Sequence, residues 1–494
     1  MEKSAMSNDL PSNLYRVEQV RQAEVEACLG KDNGLYELVE KAGQAAFEVI
    51  FPLSKTDSPI CILVGNGNNG ADGLVVARKL LEQKLPVCVM AVDKAVSTAE
   101  HQQARTAFEA RGGQVDNIDY ERLSDFDLII DALFGVGLSR PLDSDDTLLV
   151  EKVNRSGAKV ISLDVPSGVN ADTGNAVTAI KANTTIVFGA LKVGLCTHQA
   201  RHYCGEIFFA DIGFADFLPE THIKRVDALM LNKVLGKRQR HAHKGDSGKV
   251  VVIGGDIGMP GAVTLCAEAS YRAGSGLVAV VSRPEHQAVV IVRRPELMFS
   301  GAEFIDMDIY HRLGWADVLV LGPGLGRHDW GVNLFKAAMM TDKPIVVDAD
   351  GLNILSRRPQ KQNNWILTPH SGEAARLLEC DVEMVNQNRF EAAKQLHGKY
   401  GGVIVLKGAG TIITDGTETY VATIGNPGLA SGGCGDVLAG IIGSLLAQGL
   451  SLLNAATIGV VVHGYAGDRV ALSGGERGML AGDLMVEIRR AVNL

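Results

Sequence analysis

Ile60-Cys-Ile-Leu-Val-Gly-Asn-Gly-Asn-Asn-Gly-Ala-Asp-Gly73 is an apolar run that turns directly into a glycine-rich loop. Residues 60–64 read as a buried strand, and the segment around 74–83 beyond the loop reads as a helix. Gly65, Gly67 and Gly70 satisfy G-x-G-x-x-G, and Asp93 ends the next strand roughly twenty residues on, the spacing of a dinucleotide-binding turn. Glycines at those places let a pyrophosphate approach the helix N-terminus. The same pattern also serves as a purely structural turn, so its meaning depends on what the rest of the chain sets beside it.

Strand-like runs alternate with helical patterns along the whole chain, the arrangement of parallel α/β sheets. A first series of expected strands covers 60–64, 86–92, 128–131, 159–163 and 185–188, with helices around 74–83, 99–111 and 147–154. A second covers 249–253, 277–281, 318–321, 345–347, 366–367 and 403–406. Between them, residues 220–246 hold the densest positive cluster, Lys237-Arg-Gln-Arg-His-Ala-His-Lys244. It reads as a solvated connector, with flanking of an anionic ligand as the alternative. The boundary is expected near residue 226, giving domains 1–226 and 227–494. That division suits 494 residues at about 150 or more per α/β domain.

Composition narrows the classes. With 48 Lys and Arg against 57 Asp and Glu, the net charge of −9 argues against a protein that coats nucleic acid or an anionic membrane. The eight cysteines form no CxxC or paired zinc spacing and read as free thiols of a reducing compartment. Residues 1–20 lack the apolar centre of a signal peptide, and the apolar run 437–447 is too short to span a bilayer. A cytoplasmic protein is the expectation. Glycine, at 56 residues, exceeds the usual share of roughly 7%, and much of the excess falls at expected strand ends.

In the first half, Asp131-Ala-Leu-Phe-Gly-Val-Gly137 and Asp164-Val-Pro-Ser-Gly-Val-Asn170 each follow a strand, and Asp172-Thr-Gly174 comes next. Ligands of open parallel sheets bind beyond the carboxyl ends of the strands, so Asn69, Asp131, Asp164 and Ser167 are expected at one crevice. Their oxygens suit a hard cation, although each Asp singly would also serve as a helix N-cap. With Phe188-Gly-Ala-Leu-Lys-Val-Gly-Leu195, these motifs resemble the NAD(P)H-hydrate epimerase family over about residues 60–213. The resemblance implies a Rossmann-like three-layer αβα sandwich that binds a hydrated nicotinamide nucleotide. It places Asn68, Asn69, Gly70, Ala71 and Asp72 on that ligand, with Gly135, Val136, Gly137, Leu138, Ser139, Arg140 and Pro141. It further implies a potassium ion on Asn69, Asp131 and Ser167, and Asp164 acting on the hydrated ring. Ala71 and Leu191 depart from the family, which usually has Gly and often Pro there.

In the second half, Asn426-Pro-Gly-Leu-Ala-Ser-Gly-Gly-Cys-Gly-Asp436 enters an apolar helical run. Such a loop offers backbone N–H groups and a helix dipole to an anion, with Asp436 beside a reacting hydroxyl. There is no G-x-x-x-x-G-K-[ST], which excludes a P-loop NTPase. Leu321-Gly-Pro-Gly-Leu-Gly326, Asp348-Ala-Asp-Gly351, Thr368-Pro-His-Ser-Gly-Glu373 and Lys407-Gly-Ala-Gly-Thr411 each follow a strand. This set resembles the ribokinase-like superfamily and, within it, the ADP-dependent NAD(P)H-hydrate dehydratases, over about residues 244–494. The resemblance implies a ribokinase-like αβα sandwich with Asp436 catalytic. ADP is implied at Lys407, Gly408, Ala409, Gly410 and Thr411 and at Asn426, Pro427, Gly428, Leu429, Ala430, Ser431, Gly432, Gly433, Cys434 and Gly435. Hydrate contacts are implied at Ala262, Gly326, His370 and Asp436, and Mg2+ is a plausible companion of the phosphates.

The resulting expectation is a two-domain α/β enzyme of metabolite repair. It would epimerise the R and S forms of NADHX and NADPHX and dehydrate the S form with ADP, giving AMP and phosphate. Its partners are small molecules, with no nucleic acid and no membrane. The apolar stretch 437–462 is compatible with a homo-oligomer and equally with a buried core. The alternative enzyme is a small-molecule kinase fused to a nucleotide-binding module; the alternative outside catalysis is a first domain that only binds.

Overall fold

A computed structural model describes the chain apart from residues 1–5, 8–9, 93–95, 139, 232–235 and 237. Asp93, Ser139 and Lys237 therefore lie outside the described residues. Two compact units are present, Met1–Ile223 and Lys224–Leu494.

In the first unit the strands stand in the order Val115–Asn117, Val87–Ala91, Ile60–Val64, Leu128–Ala132, Lys159–Leu163, Thr184–Phe188 and Glu206–Ala210. All these neighbours are parallel. Met6–Ser7 adds a short antiparallel edge. Ile60, Ile62 and Val64 pack with Leu74, Val75 and Val39 on one face, while Cys61 and Leu63 pack with Leu149 and Val153 on the other. Burial on both faces is why these strands are apolar throughout rather than alternating. From Ile60–Val64 the chain steps outward to Val115–Asn117, then returns to the other side at Leu128–Ala132. Strand order thus reverses between Ile60–Val64 and Leu128–Ala132, and a doubly wound sheet opens a ligand crevice at such a point.

The second unit repeats the logic. Its sheet runs Met298–Gly301, Leu277–Ser282, Lys249–Ile253, Val318–Leu321, Ile345–Val347, Trp365–Leu367 and Val403–Leu406, all parallel. Thr411–Thr414 and Thr419–Ala422 extend it antiparallel, and Ile223–Val226 closes that end. The order reverses between Lys249–Ile253 and Val318–Leu321. Val250, Val252, Val318 and Val320 share a core with the helices Pro260–Arg272, Cys434–Ala447 and Leu452–Gly474. The apolar side chains of 437–462 are largely spent inside this core, the second of the two uses their composition allowed.

Two local differences from the sequence reading matter for the sites. The helix expected around 74–83 spans Asn68–Glu82, so the glycine-rich loop is itself the first turn. Glycine suits that turn for a steric reason: a Cβ on Gly70 would lie 1.8 Å from the Gly65 carbonyl oxygen. The strands Val115–Asn117, Glu206–Ala210 and Met298–Gly301 lie outside the expected series, because each is only three to five residues long and largely half-exposed.

Candidate functional sites

A cavity of about 810 Å³ opens at the switch point of the first unit. Its floor comes from the helix start, with Asn68, Asn69 and Asp72. Gly135, Val136, Gly137, Leu138 and Arg140 line one side, and Asp164 faces it from the end of its strand. Gly70 and Ala71 turn instead into the fold, and Pro141 is not among the lining residues. Leu38, Val39 and Ala42, from the helix Gly34–Ile50, give the cavity an apolar wall that sequence reasoning did not anticipate.

Asp164 stands at φ +63°, a left-handed conformation that a non-glycine residue holds only where surrounding contacts enforce it. Its N–H donates to the Ile186 carbonyl at 2.7 Å. Its Oδ1 accepts from the Phe188 N–H at 3.2 Å and from the ammonium of Lys192. Lys192 is 1% exposed and also donates to the Phe188 carbonyl at 3.0 Å. Tyr15 clamps this segment from the other side, with hydrogen bonds to Leu191 and Val193. Lys192 lies in the quoted motif of residues 188–195 but had no assigned role; a fully buried lysine needs a counter-charge, and Asp164 is it.

Asp131 and Ser167 lie beneath the cavity rather than on its wall. The Asp131 carboxylate accepts from Ser162 Oγ (2.7 Å), Ser167 N (2.9 Å), Ser167 Oγ (2.5 Å) and Leu133 N (3.3 Å). Burial raises its pKa and those hydrogen bonds oppose the rise. Asn69 is the reverse case: 8% exposed, with neither its amide oxygen nor its amide nitrogen hydrogen-bonded among the described residues. Asp172 is structural, since its Oδ1 accepts from the N–H of Val17 at 2.8 Å and so anchors the first helix, Val17–Cys28.

In the second unit the motifs 348–351, 368–373 and 426–436 converge on Lys407. Its ammonium donates to Asp348 Oδ1 at 2.8 Å and lies 3.8 Å from Glu373 Oε2. Thr368 Oγ1 donates to the same Asp348 oxygen at 2.8 Å. Gly435 sits alongside, where a Cβ would be 3.4 Å from Lys407 Nζ. Burial pulls Lys407 down, but Asp348 and Glu373 outweigh it and its pKa rises. Burial, reinforced by Asp348, pushes Asp436 up to about 7; burial also pushes Glu373 to about 7. Carboxyls that titrate near neutrality in one cluster are suited to proton transfer.

His370 caps the helix Ser371–Leu378: its Nδ1 accepts from Gly372 N (3.0 Å) and Glu373 N (3.3 Å), so the neutral ring carries its proton on Nε2. Partial burial, then Lys407, lowers its pKa. Gly326 donates its N–H to Asp350 Oδ2 at 3.0 Å, and Ala262 lies beside Gly324 of the same loop. The glycine loop ahead of Asp436 is held by Asp468, whose carboxylate accepts from Gly425 N (3.0 Å) and Asn426 Nδ2 (2.9 Å). Gly433, at φ +90°, turns the chain into Cys434–Ala447. The turn Lys407–Thr411 closes on itself through Thr411 Oγ1, which donates to the Gly408 carbonyl at 3.0 Å. Beneath it lies Arg389, 3% exposed, donating to the Leu406 and Lys407 carbonyls. Asp468 and Arg389 stand outside every glycine motif and left no sequence signal.

Two doubly wound α/β units, the first with a polar cavity where strand order reverses and the second with a carboxylate–lysine cluster at its strand ends, define a two-domain nucleotide-handling protein. Residues 35–194 match the YjeF-related protein N-terminus family, and residues 250–490 match the NAD(P)H-hydrate dehydratase family. A bifunctional NAD(P)H-hydrate repair enzyme of Coxiella burnetii is 44% identical over 97% of this chain and 99% of its own length. One of Escherichia coli K12 is 41% identical over 100% of this chain and 96% of its own length. Among solved structures, a ribokinase-like superfamily protein of Enterococcus faecalis has a TM-score of 0.51 at 28% identity. It covers 56% of this chain and 97% of that one. The chain belongs to the family of bifunctional NAD(P)H-hydrate repair enzymes.

Proposed function

We propose that the chain restores hydrated nicotinamide nucleotides, with epimerisation in the first unit and ADP-dependent dehydration in the second. The observation that carries this is the pairing of the first unit's cavity with the second unit's carboxylate–lysine cluster on a chain that aligns over nearly its whole length with bifunctional repair enzymes. The hydrate bears a hydroxyl at C6, beside the ring nitrogen. Hydroxide leaves poorly from that carbon, whereas phosphate leaves well. Asp436 takes the hydroxyl proton, the oxygen attacks the β-phosphorus of ADP, and AMP departs. The ring nitrogen's lone pair then expels phosphate, and loss of a C5 proton restores the reduced nicotinamide. Lys407 and the loop amides ahead of Asp436 balance charge on the transferring group.

Among the described residues no hydrogen bond reaches Asp348 Oδ2, a hard oxygen beside Gly435 and a fitting partner for Mg2+ carried on the diphosphate. Mg2+ would supply neutralisation of phosphate charge. In the first unit, the buried and unpartnered amide of Asn69 fits a potassium ion, with Asp131 and Ser167 completing an oxygen set. Bound there, potassium would supply a fixed positive charge beneath the cavity. Incubating the full chain with both epimers and ADP tests the reading: reduced nicotinamide, AMP and phosphate are expected. Accumulation of a stable phosphorylated product instead would establish the kinase alternative.

A further inference from the structure

Inverting C6 needs a proton acceptor and a proton donor in one cavity, and Asp164, expected to act on the hydrated ring, can supply only one of the two. Asp72 lines the same cavity, is 8% exposed, and sits on the second turn of the helix Asn68–Glu82. Among the described residues no hydrogen bond to its carboxyl is present, although a carboxylate so enclosed is costly without donors. Burial raises its pKa well above the ordinary carboxyl range, and Asp164 and Glu24 raise it further against the pull of Lys192. The charged groups around it are therefore Asp164, Lys192 and, from the helix Val17–Cys28, Glu24, itself near Arg21. Glu24 is also raised by burial and by Asp164, against the pull of Lys192 and Arg21, but it is half-buried where Asp72 is buried, so Asp72 is the more enclosed carboxyl of the cavity.

We infer that Asp72 is the proton donor of the epimerisation and that Lys192 is a positioning residue for Asp164; the inference rests on the epimerase reading of this unit. Asp164 takes the proton of the C6 hydroxyl, whose electron pair forms a carbonyl. The C6–N1 bond breaks, its pair moves to N1, and N1 takes the proton of Asp72. The open-chain aldehyde turns about C5–C6 and presents its other face. Reclosure returns one proton to Asp72 from N1 and the other from Asp164 to oxygen. No oxidant or reductant is consumed, and both carboxyls end as they began.

The test uses the full chain and separates the two epimers chromatographically over a pH series. Dehydration of the S epimer by the second unit reports folding in each preparation. Wild-type interconversion is expected to fall on the high-pH side of its profile as Asp72 loses its proton. Asp72→Asn should reduce the interconversion rate by about a hundredfold or more, with hydrate binding nearly unchanged and the high-pH limb gone. Lys192→Met should lower kcat more than it raises KM, and Lys192→Arg should restore part of the rate. Wild-type rates in Asp72→Asn, survival of its high-pH limb, or loss of that limb only in Glu24→Gln would overturn the inference. Failure of the wild-type chain to interconvert the epimers would instead overturn the epimerase reading itself.

Discussion

Asp436 is the carboxyl on which the proposed dehydration turns. As the proposed base it would work in its ionised form, so with a pKa raised to about 7 its activity is expected to fall below that pH. The kcat/KM for dehydration should rise with pH to a plateau above about 7, reporting the titration of the Asp436–Glu373 cluster as a whole. Glu373→Gln removes a neighbouring negative charge and should move that inflection to lower pH. Asp436→Asn should cost about 10²–10⁴ in kcat while leaving ADP affinity nearly intact, as steady-state kinetics and calorimetry can show. The raised carboxyls also carry a stability signature. Their folded pKa values exceed the unfolded value of about 4, so their contribution to stability falls as pH rises from about 4 through 7.

Among elements, the helix Cys434–Ala447 does most to place a site. It lies so close to Pro260–Arg272 that a Cβ on Gly440 would come within 2.1 Å of the Cys266 carbonyl oxygen. Gly440→Ala should therefore destabilise the protein by about 1–3 kcal/mol in denaturant titration and raise the KM for ADP, because the helix N-terminus must move. Asp468→Ala should raise the KM for ADP about five- to tenfold with kcat little changed, for the loss of roughly one net hydrogen bond holding the loop. The glycine loops and central strands were legible in the sequence because their residues are consecutive and their apolar signal is strong. Asp468, Arg389 and Lys192 were not: each acts on a loop distant in sequence, through burial or a hydrogen bond that no local spacing encodes. Asp131 and Ser167 were found as residues but not in their geometry, since a strand-end carboxylate looks the same whether it faces a ligand or a neighbouring hydroxyl. The first turn of the Asn68–Glu82 helix was masked by its glycines, which are helix-poor by propensity and present for close packing.

For the molecule as a whole, two sites on one chain answer a property of the substrate. Hydration yields two epimers, and a dehydratase selective for one would leave the other stranded. Asp164→Asn should thus stop net repair once the S fraction is consumed, while Asp436→Asn should stop it at the start and still allow the epimers to interconvert. The most direct measurement follows reduced-nicotinamide absorbance after ADP is added to the epimer mixture with the wild-type chain. Recovery from both epimers, with AMP and phosphate released in equal amounts, is the expected result. Absorbance that stays flat while a phosphorylated nucleotide accumulates would contradict the assignment of the chain to hydrate repair.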